Sequence, residues 1–271
     1  MGRLLRGVTH CNAAKRGGAR APITVGIEVS MSAVFSHPPD ARPEYAPRPA
    51  AIAEVGQLDR LVHRRIRRKH MLYRAGQPAR AAFLVHAGLF RCTVLDAHGR
   101  ERVTGFPLRG DVLGVECLHA PRYVADVMAL DIADVIELPR AELLDPTRAL
   151  LPHVAAAMAE ARERDWTWML ALHTLDAEQR VAQFLLDHAA RLESMGFSPR
   201  RIVLRMTRAD IGSFLDMASE SVARSMTRLD SAGLIRVSCR DVEIADEAAL
   251  RRLLEPPGEG SRRTRPPPVL H

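Results

Sequence analysis

The spacing of apolar positions changes character twice along the chain. From about residue 65 to 140, short apolar runs alternate with glycine: Phe83-Leu84-Val85, Phe90 to Leu95, Val103 to Phe106 and Val112-Leu113, punctuated by Gly88, Gly99 and Gly110. Strand-length runs between turn residues predict an all-β sandwich or jelly-roll barrel. Asp126 to Leu130 and Ala133 to Leu138 supply its last strands. Past Pro152 the period lengthens to that of a helix reaching about His173. Proline suits a first turn, where its missing N–H would be unbonded anyway. Val154, Met158, Ala161, Asp165, Trp168 and Leu172 recur at alternating four and three, the seam of a two-helix interface. A helix lying on its own β-domain is the competing reading, and Asp165 interrupts the seam with a charge.

A second helix, Ala177 to Leu192, places Val181, Phe184, Leu185 and His188 on one face. Gly196 and Pro199 end that segment. Thr207 followed by Asp210 forms a capping box and opens a short helix. Ile211, Phe214 and Leu215 turn inward, and Gly212 leaves room for a close neighbour. After a turn at Asp216, a further helix buries Val222, Met226 and Leu229 at i, i+4, i+7 and shows Glu220, Ala223, Arg224, Thr227 and Arg228 outward. A two-stranded wing follows, Leu234 to Ser238 and Val242 to Ile244, with a turn at Arg240-Asp241, and then a short helix capped by Asp246.

Two short helices, a tight turn and a wing are the layout of an element that enters a DNA major groove. A glutamate can accept from cytosine N4, and an arginine can fork onto guanine O6 and N7. Glu220 and Arg224 are therefore candidate base readers, close enough to orient each other by an ion pair. Thr207, Arg208, Ser221, Ser225 and Arg228 are candidates for phosphate contacts, which position the helix without reading sequence.

At 271 residues, 47% hydrophobic and 26% charged, the chain has room for two domains. Its net charge of +7, almost all from arginine, suits a polyanionic partner. No apolar run is long enough to span a bilayer, and no secretory signal is evident, so a cytoplasmic protein without membrane contact is expected. Residues 1–50 and 256–271, rich in Pro, Gly and Arg, read as disordered tails, and Met31 is a possible alternative start. Between them lie a sensor β-roll over 51–145, a dimerisation helix over 146–175 and a winged helix-turn-helix over 176–255. No Walker A, Gly-x-Ser-x-Gly, Gly-x-Gly-x-x-Gly or His-Glu-x-x-His pattern occurs, so an enzyme is not expected.

From Leu72-Tyr73-Arg74-Ala75-Gly76, Glu101 to Phe106 and Gly110-Asp111, through Ala177 to Phe184 and Gly196 to Arg200, to Met206 through Leu229, the chain resembles the Crp/Fnr family of bacterial regulators, nearest its Fnr-type branch. The resemblance covers about residues 55 to 253 and implies an α+β architecture. That architecture is a cyclic-nucleotide-binding-like β-roll (jelly roll), a long dimerisation helix and a C-terminal winged helix-turn-helix. It implies a homodimer on pseudo-palindromic double-stranded DNA, with Glu220 and Arg224 on the family's base-reading positions and Ser219 and Ala223 at neighbouring reading positions, where they depart from the best-known members. It also implies RNA polymerase as a partner, through Val103, Thr104, Gly105 and Asp111, and hence an activator. An acidic residue in the dimer helix, here Asp165, would repel its symmetry mate. Asp216 stands where the family has a turn glycine, and Ala218 where it has a threonine cap.

The family's cofactor signatures are not matched. An iron–sulfur member carries closely spaced N-terminal cysteines, whereas Cys11, Cys92, Cys117 and Cys239 are scattered. A cyclic-nucleotide binder carries a Gly-Glu pair and an Arg-Ser/Thr pair; here Val115 holds the carboxylate position and Arg122 precedes Tyr123. His63, His70, His86 and His98 have no spacing that favours haem or a metal. No cofactor and no metal site are expected. The alternative function is a ligand- or redox-sensing protein whose β-roll binds a small effector or haem.

Overall fold

The structure, a computed structural model, describes residues 61–147 and 150–255, all within the unit Pro43–His271. Both expected tails, Cys11 and the alternative start at Met31 lie outside the described residues.

Eight antiparallel strands build the β-roll: β1 (His63–Ile66), β2 (Met71–Tyr73), β3 (Ala81–Ala87), β4 (Phe90–Leu95), β5 (Glu101–Gly105), β6 (Val112–Leu113), β7 (Asp126–Ala129) and β8 (Ala133–Pro139). They form two four-stranded sheets, ordered β1-β8-β3-β6 and β2-β7-β4-β5. β1 and β2 are additions to the sequence reading. β1 has a single buried residue, Ile66, so no alternation announces it. The core between the sheets includes Leu72, Phe83, Phe90, Val127, Val135 and Leu138. Within it Tyr73 and Tyr123 stack at 4.0 Å between centroids, beside Phe83.

A short α1 (Arg140–Leu143) leads towards α2 (Leu151–Thr174), which carries proline in its first turn. α3 (Ala177–Ser194) starts with a capping box in which Asp176 accepts from the Gln179 N–H and Gln179 reaches back to Asp176. β9 (Arg201–Val203), too short to register as a pattern, joins β10 (Ile235–Ser238) and β11 (Asp241–Ile244) in a sheet ordered β10-β11-β9. α4 (Arg208–Phe214) and α5 (Ser219–Ser231) lie between β9 and β10, and α6 (Glu247–Arg252) follows, its cap Asp246 accepting from Ala249.

The seam expected along α2 needs correction. Val154 is buried in the core of its own β-roll, with Ala157 packed against that core. Trp168 lies against Phe184 and Phe214 of the same chain, 4.8 Å from Phe214. Those two positions are therefore spent within the chain, and Ala161 and Leu172 are half-buried. The outward apolar stripe is rotated from the expected one: Leu151, Met158, Trp166 and Met169 are exposed, with Asp165 among them. One helix thus carries two neighbouring apolar faces, and a heptad count merges them.

Charges join the β-roll to the helices. Asp111, between β5 and β6, receives Arg164 of α2 on one carboxylate oxygen at 2.5 Å and Arg191 of α3 on the other. Arg191 also donates to the Phe106 carbonyl at 3.1 Å. Arg180 donates to the carbonyls of Leu172, Leu175 and Leu215, tying the end of α2 to the end of α4.

His188, 4% exposed and stacked on Phe184, sits beside this network. Burial, with Arg191 adding to it, pushes its imidazole from 6.5 down to about 4. The unfolded chain therefore takes up a proton that the folded chain refuses. Its contribution to stability is complete above pH 6.5 and is lost as pH falls towards 4. In denaturant titrations between about pH 7 and pH 4.5, the wild type should lose about 2.5 kcal/mol more than His188→Phe. Equal losses would show that His188 does not titrate in this way.

Candidate DNA-reading site

The site begins with the cap of α4. Thr207 accepts from the Asp210 N–H at 3.0 Å, and Asp210 accepts from the Thr207 N–H at 2.9 Å and its hydroxyl at 2.7 Å. Asp210 also faces the β-roll, where Arg91 of β4 meets its other oxygen at 2.7 Å. Burial alone would raise this carboxyl, but Arg91 and Thr207 hold it below its ordinary value. A few residues on, the Val103 N–H of β5 donates to Ser213 Oγ at 3.0 Å. Phe214 closes the contact edge-on against Phe106, at 5.6 Å.

The turn between the helices is tight. A Cβ on Gly212 would stand 2.6 Å from the Met217 carbonyl oxygen, so only glycine permits this approach. Asp216 adopts the left-handed conformation, φ 49°, in place of the glycine usual there. α5 then buries Val222, Met226 and Leu229 and exposes Glu220, Ala223, Arg224, Thr227 and Arg228 along one face, with Ser219 and Ser221 half-exposed. Arg224 is bonded to Ser221 Oγ at 3.2 Å, not to Glu220. The expected Glu220–Arg224 ion pair is therefore absent, and both groups are left for another partner.

The phosphate candidates divide. Arg228 is exposed, with Glu178 4.0 Å away. Ser225 is 3% exposed and turned into the core, too deep to reach a phosphate. Arg208 is partly buried and donates to the Cys239 carbonyl in the wing turn at 3.3 Å, which makes it a brace between α4 and the wing. The Thr207 hydroxyl is engaged by Asp210. Of the polymerase candidates, Val103 is 8% exposed and bonded to Ser213, and Asp111 is clamped between two arginines. Neither is a contact surface. Thr104 is exposed and Gly105 half-exposed.

Arg91, Arg164, Arg180, Arg191 and Ser213 were not among the sequence-derived candidates, yet they hold this site in place. Arg91 lies 119 residues from Asp210 and Ser213 lies 110 from Val103. No local pattern marks such pairs.

In the segment that corresponds to a cyclic-nucleotide binder's Arg-Ser/Thr pair, the polar groups bond within the protein. Arg122 donates to the Gly76 carbonyl at 2.6 Å, and Tyr123, in place of a small hydroxyl residue, is buried and donates to the Ala81 carbonyl at 2.6 Å. A Cβ on Gly114 would meet the Tyr123 ring at 2.9 Å. These residues do not fit a cyclic nucleotide. Cys92 is half-buried, Cys117 is buried and Cys239 is exposed on the wing; burial raises both the Cys92 and Cys117 thiols. Among the described residues no cluster of three or more His, Cys, Asp or Glu could hold a metal ion. No described helix is long and apolar enough to cross a membrane.

A β-roll, a long helix and a winged helix-turn-helix with an exposed polar face define a transcription regulator with a DNA-binding domain. The comparisons agree: residues 63–146 match the cyclic nucleotide-binding domain model and residues 179–253 the Crp-like helix-turn-helix domain model. Electron transport regulator A of Shewanella oneidensis is 31% identical over 206 residues, 74% of this chain and 82% of that protein. Transcriptional regulatory protein btr of Bordetella pertussis is 33% identical over 209 residues, 74% of this chain and 85% of that protein. The structure of FixK2 from Bradyrhizobium japonicum superposes with a TM-score of 0.61 at 26% identity, covering 73% of this chain and 98% of that one. The chain belongs to the Crp/Fnr family.

Ala218 caps α5 in an extended conformation, φ −66° and ψ 149°, without a side-chain hydrogen bond. Ala218→Thr should supply the missing acceptor and stabilise the protein by about 1 kcal/mol, read as a higher denaturant midpoint at unchanged slope. No rise in midpoint would mean that the threonine cannot reach the free N–H groups.

Proposed function

We propose that this protein is a homodimeric, sequence-specific regulator that binds a pseudo-palindromic DNA site and activates transcription. The observation that carries the reading is the recognition helix itself. Its apolar side is fully buried, while Glu220, Ala223, Arg224, Thr227 and Arg228 stand exposed, and neither Glu220 nor Arg224 is tied up in an ion pair. A groove-entering helix needs that division. Arg224 reads guanine and Glu220 the paired cytosine edge, with Ser219 and Ala223 setting the flanking preference. Arg228 and Ser221 supply phosphate contacts.

The outward stripe of α2, from Leu151 through Met158 and Asp165 to Met169, supports pairing with a second copy. Activation would use the exposed part of the β5 region, Thr104 and Gly105, towards RNA polymerase. Such a regulator acts in the cytoplasm and performs no catalysis, in keeping with its relatives being transcription regulators. It needs no cyclic nucleotide in the aromatic-filled β-roll.

Arg224→Ala should lower affinity for the preferred site by about 1–3 kcal/mol and abolish discrimination at one G·C pair. Competition against single-base variants of that site measures this; an equal loss on every sequence would reassign Arg224 to a phosphate. At the dimer stripe, partial desolvation on the helix surface raises the exposed Asp165 carboxyl while Arg164 and Arg162 pull it back down, leaving it above its ordinary value. Two such carboxylates near a dyad repel when ionised, so dimerisation should strengthen as pH falls. Asp165→Ala should raise the dimer fraction in sedimentation and remove that pH dependence. If dimer fraction and DNA affinity stay the same, Asp165 is not a brake on pairing.

A further inference from the structure

Asp187, half-buried on α3, faces a junction of three elements. Arg191 lies one turn further along α3, Arg164 and Trp168 come from α2, and Asp111 comes from the β5–β6 segment. Partial burial, with Asp111 adding to it, raises the Asp187 carboxyl, while Arg191, Arg164 and the Trp168 indole N–H pull it back down. Both arginines are already held by Asp111, and Glu160 and Asp165 also face Arg164 along α2. Asp187 is therefore not needed as their counter-charge. What it adds is an acceptor for the Trp168 indole N–H, a group that can only donate.

Trp168 stands where that acceptor matters. Its ring is half-buried, tilted against Phe184 at 6.3 Å and edge-on to Phe214 at 4.8 Å. Phe214 is the last residue of α4, where the chain turns towards the recognition helix. Within one turn of Trp168 on α2, Asp165 and Met169 face outward on the stripe that supports pairing with a second copy. The ring thus lies between the pairing face and the reading element. Apolar contact is non-directional and leaves the rotation of a ring open, whereas a hydrogen bond at its edge selects one orientation.

We propose that Asp187 is a positioning residue for DNA reading: it fixes the Trp168 ring against Phe214 and so sets the angle between α2 and the recognition helix within the dimer. This inference rests on the dimeric DNA-binding reading above, and the test separates the two. A half-site needs one recognition helix, whatever its angle to the dimer axis. A palindrome needs two at a fixed spacing, and the gain from tying them together is lost where geometry prevents both from engaging. Asp187 therefore matters for the whole palindrome and not for the half-site.

The probes are a palindromic duplex selected by the full chain from a random pool and a duplex carrying one of its half-sites. Asp187→Leu and Trp168→Phe should each weaken palindrome binding about five- to tenfold and leave half-site binding unchanged. Combined, they should lose no more than either alone, since both remove the same hydrogen bond. Asp187→Asn keeps an acceptor and should bind the palindrome as wild type does. In protein labelled with fluorotryptophan, the Trp168 fluorine resonance, assigned by its loss in Trp168→Phe, should move in Asp187→Leu and stay in place in Asp187→Asn. Additive losses, an unmoved resonance, or an Asp187→Asn variant as weak as Asp187→Leu overturns the proposal. So does an equal loss on the half-site, which would mean damage to the reading domain and not to its placement. If Asp187→Leu fails to fold, Trp168→Phe decides: a loss confined to the palindrome supports the proposal, and unchanged palindrome binding overturns it. Wild type that selects no duplex would overturn the DNA-reading assignment first, and this one with it.

Discussion

The structure depends on how one carboxylate is neutralised. Asp210 is required at the start of α4, where it completes the capping box with Thr207. Its side chain is 9% exposed, and a buried carboxylate without a partner is costly. Arg91 supplies the partner from the β-roll. Removing one member of such a pair typically costs about 3–5 kcal/mol, because the survivor stays buried and charged. A local need of the helix-turn-helix has become a fixed joint with the β-roll. Because α4 packs on α5, the joint also sets where the recognition helix points.

Other joints share that logic. Asp111 gathers Arg164 and Arg191, so the β5–β6 segment, α2 and α3 meet at one carboxylate. Arg180 satisfies three carbonyls at the ends of α2 and α4, groups that a helix terminus leaves without partners. Between these polar joints the rings of Phe106, Trp168, Phe184 and Phe214 meet edge to face. The interface combines apolar packing with charge pairs whose geometry admits few alternatives. Inside the β-roll, Tyr73 stacks on Tyr123 and Phe83, and the Tyr123 hydroxyl donates to the Ala81 carbonyl, so these rings are part of the core.

α2 shows how a pattern can be read correctly in period and wrongly in direction. Its apolar residues do recur at helical spacing, but on two adjacent faces. Val154, Ala157, Trp168 and Ala171 serve the chain itself, while Leu151, Met158, Trp166 and Met169 look outward. Arg162 sits 5.5 Å over the Trp166 ring on the outward side, adding a charge to that stripe.

The sequence alone determined what depends on near neighbours. The capping box at Thr207 and Asp210, the close approach at Gly212, the buried Val222, Met226 and Leu229, and the strand-length apolar runs of β3, β4 and β8 all follow from residues within a few positions of one another. The exposed reading face of α5 was legible for the same reason. Only the tertiary structure decided which polar residues were already spent. Ser225, Arg208, Val103 and Asp111 have the right chemistry for outside contacts, but each is buried or bonded from within. Arg91 and Ser213 acquire their roles from partners more than a hundred residues away. Spacing along the chain fixes the face of a helix, whereas the distance between two charged groups exists only once the chain has folded.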